Sequence, residues 1–150
     1  MQETATYQRH KSLGGLINVV AFNIRQRFAD RLQQHGLDLS VWPLLVCLWE
    51  EDGVPQGRIG EILGVPGYAM SRGIDRLEAA GLVNRRTDPA NRRLRRVFLT
   101  DSGRSIQSQL VPLASAVNAE ILDLLDDAEQ EQMLALLQKI VHGIGKTGAT

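Results

Sequence analysis

Between residues 56 and 83 the chain reads QGRIGEILGVPGYAMSRGIDRLEAAGLV, and its glycines and proline allow little besides two short helices joined by a tight turn. Gly64 follows Leu63 and can take the positive φ that ends a helix. Pro66 fits the first turn of the next helix, where its missing N–H is no loss. Ile59, Leu63, Val65 and Met70 fall where apolar side chains of two crossing helices meet, with Gly60 supplying a position without a side chain at the crossing. On the second helix Ile74, Leu77 and Ala80 face the core. Gly67, Tyr68, Ala69, Ser71 and Arg72, with Arg76 one turn later, are then the positions that a helix-turn-helix offers to base edges in the DNA major groove.

The next stretch, NRRTDPANRRLRRVFLT, reads as a two-stranded ribbon. Val97 and Leu99 alternate with Arg96 and Phe98 at strand spacing, and Leu82 and Val83 begin the partner strand. Asp88-Pro89-Ala90-Asn91 is dense in turn residues. Arg85, Arg86, Arg92, Arg93, Arg95 and Arg96 crowd around it, accompanied by one acid, Asp88, which can pin a wing arginine by a charge-assisted pair. A basic hairpin beside a recognition helix is the wing of a winged helix and suits a phosphate backbone or a narrow minor groove. Arg86, Asp88, Asn91, Arg92, Arg93 and Arg95 are the expected wing contributors.

The run Leu63 to Gly103 resembles the MarR family of transcriptional regulators. It carries a D-P-x-N/D-x-R wing in Asp88, Pro89, Asn91 and Arg93, followed by a V-x-L-T strand end in Val97, Leu99 and Thr100. The resemblance implies a winged helix-turn-helix whose N- and C-terminal helices interlock between two subunits. It also implies that Arg93 is the wing-tip arginine entering the minor groove, with Asp88 as its positioning partner. Two places depart from the family pattern: Pro66, Gly67 and Tyr68 stand where a Ser or Thr and a polar residue are usual, and Gly73 stands where an aliphatic residue is usual. MarR-like dimers commonly hold small aromatic or anionic effectors in a crevice between the dimerisation helices and the winged helix. Here Tyr7, His10, Asn18, Arg25, Trp42 and Trp49 would line it, with Arg25 able to meet a carboxylate.

Charge distribution supports the nucleic-acid reading although the whole chain is neutral, with 17 basic and 17 acidic residues. Residues 56–104 hold ten basic against five acidic residues, whereas residues 1–55 hold five against six and residues 105–150 two against six. The basic surplus thus falls on the helix-turn-helix and wing. A length of 150 residues with 43% hydrophobic content suits one domain with a sizeable core. No stretch is apolar enough to span a membrane, so a cytoplasmic protein is expected. The single cysteine, Cys47, forbids an internal disulfide framework. It lies in the apolar run LLVCLWE and reads as a core thiol before a redox sensor.

Leu13, Leu16, Ile17, Val20, Ile24, Phe28 and Leu32 recur at helical steps and predict a first helix ending near His35-Gly36. Ser40 can cap a second, Val41 to Glu50, whose apolar face is Trp42, Leu45, Val46 and Trp49. After the ribbon, Thr100 can cap a long helix marked by Ile106, Leu110, Leu113, Val117, Ile121, Leu124 and Leu125. Pro112 predicts a kink near residues 108–112. Asp126 and Glu129 have capping-box spacing before a last helix, which Gly143, Gly145 and Gly148 should fray.

The fold expected is therefore mainly α with a small two- to three-stranded antiparallel β wing. A winged helix-turn-helix at 37–100 would be flanked by dimerisation helices at 10–36 and 101–146 in a single domain of 150 residues. The apolar faces left over on the first, fifth and sixth helices call for a homodimer, which would read a pseudo-palindromic operator on double-stranded DNA as a repressor, released by a small effector. A winged helix used as a protein-interaction module, without sequence-specific DNA binding, is the alternative. Tyr68 is equally placed to touch a base or phosphate and to pack on the wing, and Trp42 and Trp49 read as core before ligand box. Neither a convergent catalytic set nor metal-ligand spacing is present, so no enzyme, cofactor or metal is expected.

Overall fold

The computed structural model describes residue 8 and residues 11–147, with side chains to residue 145. Along these residues run helix α1 (Leu13–Gln33), a 3₁₀ turn (Leu39–Val41), α2 (Trp42–Glu50), β1 (Val54–Pro55), α3 (Gln56–Leu63), α4 (Gly67–Ala79), β2 (Val83–Thr87), β3 (Arg95–Leu99), α5 (Asp101–Ser105), α6 (Gln107–Leu122) and α7 (Asp127–Thr147). The architecture is mainly helical with a three-stranded antiparallel sheet, a winged helix-turn-helix. The chain divides into two compact units, residues 1–114 and 115–150. None of the described helices is long and apolar enough to cross a membrane.

Glycine ends the helices of the first unit where the sequence offers it. At Gly64, with φ of 62°, the N–H of Val65 reaches the Gly60 carbonyl and that of Gly64 reaches Glu61, closing the Schellman turn between α3 and α4. At the start of α1 the Ser12 hydroxyl accepts the Gly15 N–H at 3.0 Å. Ser40, expected to cap α2, does not. Asp38 accepts the Ser40 N–H at 2.8 Å and opens the 3₁₀ turn, leaving the Ser40 hydroxyl to Arg76. Pro66 is the residue flanking α4, one position before the first turn.

β3 is the central strand, pairing with β1 through Val54 and Val97 and with β2 from Val83–Leu99 to Thr87–Arg95. Val83, Val97 and Leu99 alternate inward, and the core closes over them with Leu45, Ile59, Met70, Ile74 and Leu77, all buried. Burying each such side chain is worth roughly 1.5–3 kcal/mol relative to exposure. Three expected core positions differ: Val65 and Ala80 are exposed and Leu63 is half-buried. The tightest glycine of α4 serves another contact, Gly73 against α2. A Cβ on Gly73 would stand 2.5 Å from Leu44 Cδ1, whereas one on Gly60 would meet only the Val65 carbonyl at an ordinary 3.4 Å.

Thr100 caps α5 as expected, accepting the Gly103 N–H at 3.0 Å and donating to the Gly81 carbonyl at 2.7 Å. The helix then breaks at Ile106, earlier than the kink expected at 108–112, and Pro112 lies inside α6. The cause is a side chain from α2: Trp49 Nε1 donates to the Gly103 carbonyl at 2.9 Å, the acceptor that Gln107 would use in a continuous helix. Hydroxyls of Ser105 and Ser108 also turn back on carbonyls three residues earlier.

In α1, Phe28 and Leu32 are buried, while Leu13, Leu16, Ile17, Val19, Val20 and Phe22 are exposed. In the second unit the N–H groups of Asp126 and Glu129 are each accepted by the other's carboxylate, the reciprocal cap expected. α7 runs past Gly143 and Gly145 to Thr147 where fraying was expected; Gly148 lies outside the described residues. Its apolar positions, Leu134, Leu137, Ile140, Val141 and Ile144, are exposed.

Candidate nucleic-acid interface

The first turn of α4 carries neither a capping side chain nor an acid. Its free N–H groups and the positive end of the helix dipole therefore face outward. Gly67, Tyr68, Ala69 and Arg72 are exposed. Tyr68 is 70% exposed, which removes the alternative of packing on the wing. The Arg72 guanidinium has no partner within the described residues. The other two polar positions are engaged. Ser71 gives its carbonyl to Arg85 at 3.1 Å and its hydroxyl to the same group at 3.4 Å. Arg76 donates to Ser40 Oγ at 2.8 Å and pairs with Asp38 at 3.3 Å. Ser40, through its hydroxyl and its N–H, and then Arg76 hold the Asp38 carboxyl below the usual carboxylate range.

The wing is shaped by Asp88, whose side chain is buried in the turn. One carboxylate oxygen accepts the N–H groups of Ala90 and Asn91 at 2.8 and 3.2 Å, and the other takes Arg96 Nε. Arg96 in turn donates to the Gly53 carbonyl at 2.9 Å, tying the wing to the turn before β1. The Arg96 hydrogen bond, followed by the Ala90 N–H, holds the Asp88 carboxyl below its ordinary value. Asn91 accepts the Arg93 N–H at 3.1 Å. Arg86 lies over the Phe98 ring, 4.8 Å from its centroid. Arg92, Arg93 and Arg95 remain, exposed and without an ion pair among the described residues.

Between this wing and the helix-turn-helix runs a groove whose one wall carries Gly57, Gly60, Gly64 and Gly67 and whose other wall carries Arg93 and Arg95. Gln56, Glu61, Val65, Pro66 and Met70 also line it, so the glycines lower parts of the helix-turn-helix wall while Arg93 and Arg95 place cations on the far side.

The MarR family model matches residues 35–94, which hold the helix-turn-helix and the wing turn. The fold is similar to that of a MarR family transcriptional regulator from Silicibacter pomeroyi, with 28% identity, 95% of this chain and 97% of that chain covered, and a TM-score of 0.72. Wild-type apo MarR from E. coli is 25% identical, with 86% and 96% covered and a TM-score of 0.78. MepR of S. aureus, whose structure is a DNA complex, is 23% identical, with 88% and 98% covered and a TM-score of 0.76. Over residues 35–94 the chain thus matches the MarR family of winged helix-turn-helix transcriptional regulators, and its fold is the one those regulators share.

Within this chain one implied pairing is corrected: Asp88 partners Arg96 and not Arg93, because Arg96 on β3 faces back across the turn while Arg93 sits at the exposed tip. Asp88 is therefore a shaping residue rather than a surface contact. Sequence reasoning also left out Arg85 and Arg96 as site residues. Both sit in the basic run but are drawn inward by acids that are distant in sequence or hidden in the turn.

Among the residues expected at an effector crevice, Asn18 and Arg25 line a shallow groove on α1 with Phe22. Trp42 stacks edge-on against Phe28 and Trp49, with centroids 4.7 and 5.6 Å apart, and Trp49 is tied to Gly103. Tyr7 and His10 lie outside the described residues. Cys47 is buried, and burial followed by Glu50 and Glu51 pushes its thiol up, away from the reactive thiolate.

Proposed function

We propose that this chain is a MarR-family regulator, a cytoplasmic homodimer that binds a pseudo-palindromic operator on double-stranded DNA and represses transcription. The observation that carries the reading is the set of exposed arginines without an ion pair among the described residues, Arg72 on α4 and Arg92, Arg93 and Arg95 on the wing, of which Arg93 and Arg95 face the helix-turn-helix across a groove. The first turn of α4, Gly67 to Arg72, reads the major groove. Arg93 enters the minor groove beside it, and Arg86, Arg92 and Arg95 meet phosphates. The DNA complex of MepR, a protein of the same fold, supports DNA as the partner. Asp88 and Asn91 contribute by holding the wing's shape.

A second copy covers the apolar positions that α1 and α7 leave exposed, and two-fold symmetry sets the two α4 helices one DNA turn apart. A small aromatic or anionic effector, met by Arg25 and Asn18 in the groove on α1, releases the DNA by favouring a dimer of different half-site spacing. Selection of duplexes from a random pool, followed by salt titration of the enriched fragment, tests the reading. An inverted repeat with a steep salt slope is expected. Absence of binding at low salt would overturn it in favour of a protein-interaction module.

A further inference from the structure

Arg85 is the most fully engaged cation of the described chain. Its side chain is 13% exposed, and all five of its N–H donors are used. Nε donates to Gln56 Oε1 on α3 at 3.1 Å. One terminal nitrogen meets Asp75 at 2.7 Å and also Glu78, both on α4, and the other meets the Ser71 carbonyl and hydroxyl. Its own N–H on β2 is held by Glu78 at 2.9 Å. A single residue of the wing strand thus grips three successive turns of the recognition helix, at Ser71, Asp75 and Glu78, and the start of the helix before it.

We propose that Arg85 is a positioning residue that sets α4 against the wing and thereby controls sequence discrimination rather than attraction to DNA. This rests on the DNA-binding reading. Base edges are read by Arg72 and Tyr68 on α4 while the wing arginines hold the neighbouring groove, so both ends engage only at one separation of helix and wing. Phosphate attraction tolerates a looser arrangement. The clamp also offsets one of the two negative charges that Asp75 and Glu78 place on the reading helix. These two roles separate in Arg85→Lys, because lysine keeps the charge but its three donors on one nitrogen cannot span a fork.

The test compares wild type, R85K and D75N on two duplexes, the sequence that wild type enriches from a random pool and a scrambled duplex of equal length, over a range of salt. For R85K the enriched duplex is expected to bind about 10- to 100-fold more weakly, the size of one lost bidentate base contact. Scrambled-duplex affinity and salt slope should stay unchanged, which simple loss of folding would not leave intact. D75N removes a carboxylate that is 62% exposed and outside the core, so it folds. It should bind scrambled DNA more tightly while its ratio of enriched to scrambled affinity falls. An R85K protein with the wild-type ratio overturns the inference. If R85K loses both duplexes, D75N decides: an unchanged ratio there overturns it equally. Wild-type protein that enriches no duplex overturns the DNA-binding reading and this inference with it.

Discussion

Replacing Gly103 with alanine should destabilise the fold well beyond an ordinary surface change, and the size follows from one distance. A Cβ at this position would stand 2.0 Å from the Leu82 carbonyl oxygen and 3.0 Å from its carbon, where ordinary contact begins near 3.4 Å. Both neighbours are main chain and cannot rotate away, so α5 must retreat by roughly 1.4 Å. That retreat stretches the Thr100 N–H bond to the same Leu82 oxygen, now 3.0 Å, beyond hydrogen-bonding range. Overpacking costs about 1–3 kcal/mol and the lost bond about 1 kcal/mol, offset by up to about 1 kcal/mol of helix propensity. A net loss of about 1–4 kcal/mol lowers Tm by about 2–16 °C for a chain of this length. Melting at matched protein concentration measures it, since association contributes to Tm. Gly57→Ala is the control: nothing lies within 4 Å of a Cβ there, so the same chemical change should stabilise by about 0.5–1 kcal/mol. Gly73→Ala falls between them, because its obstacle is the movable end of Leu44. Melting of Gly103→Ala within about 1 °C of wild type (a shift of about half a kcal/mol or less) would refute the packing argument.

Arg93→Ala, at an exposed tip without partners, should weaken operator binding by about 1–3 kcal/mol and lower the salt slope by about one per subunit, read by fluorescence anisotropy, with Tm unchanged. Leu16→Glu with Val20→Glu puts two charges on the exposed apolar face of α1 and should convert dimer to monomer in sedimentation velocity. The Cys47 thiol should resist an aromatic disulfide reagent until denaturant opens the core; rapid labelling of the native protein would contradict its burial. For Asp88 the folded pKa lies below the unfolded value of about 3.9. Its contribution is therefore complete above about pH 4 and is lost as pH falls through the folded value, so wing amide exchange should be pH-independent after intrinsic correction above that point. Asp88→Asn should flatten whatever dependence appears below it.

Local signals carried most of the fold because the elements that hold the interface are short and marked at their ends. Gly64, Thr100 and the Asp126–Glu129 pair are caps whose chemistry is complete within four residues, so sequence suffices to read them. What sequence could not supply were choices made across the chain. Ser40 looks like a cap until Arg76, 36 residues away, takes its hydroxyl. The break at Ile106 has no signal in the sequence, because it coincides with Trp49, 54 residues from Gly103, taking the acceptor that continuity needs. Strand β1 is two residues long and has no period to read. Among the site residues, Tyr68, Arg72 and the outer wing arginines stand exposed where the motif suggested, whereas Arg85 and Arg96 belong to the same basic run and turn inward. Composition cannot tell these two classes apart; only the positions of Asp75, Glu78 and Asp88 do.

That division resolves how a chain with no net charge can present a strongly basic face. Of the ten basic residues between 56 and 104, Arg76, Arg85, Arg96 and Arg104 are held in ion pairs with Asp38, Asp75 and Glu78, Asp88, and Asp52 respectively. Every one of those pairs joins elements that must keep a fixed relation: α4 to the turn before α2, β2 to α4, the two ends of the wing, and α5 to the turn before β1. The remaining six, Arg58, Arg72, Arg86, Arg92, Arg93 and Arg95, have no ion pair among the described residues. Pairing therefore spends most of the nearby acids on geometry and leaves six arginines on α3, α4 and the wing without an ion pair among the described residues, Arg86 among them resting on Phe98. With a Debye length of about 8 Å in physiological salt, a phosphate seated against those cations responds to the charges nearest to it rather than to the sum over the chain. Local surplus, not net charge, sets the attraction, and the paired arginines set where it is aimed.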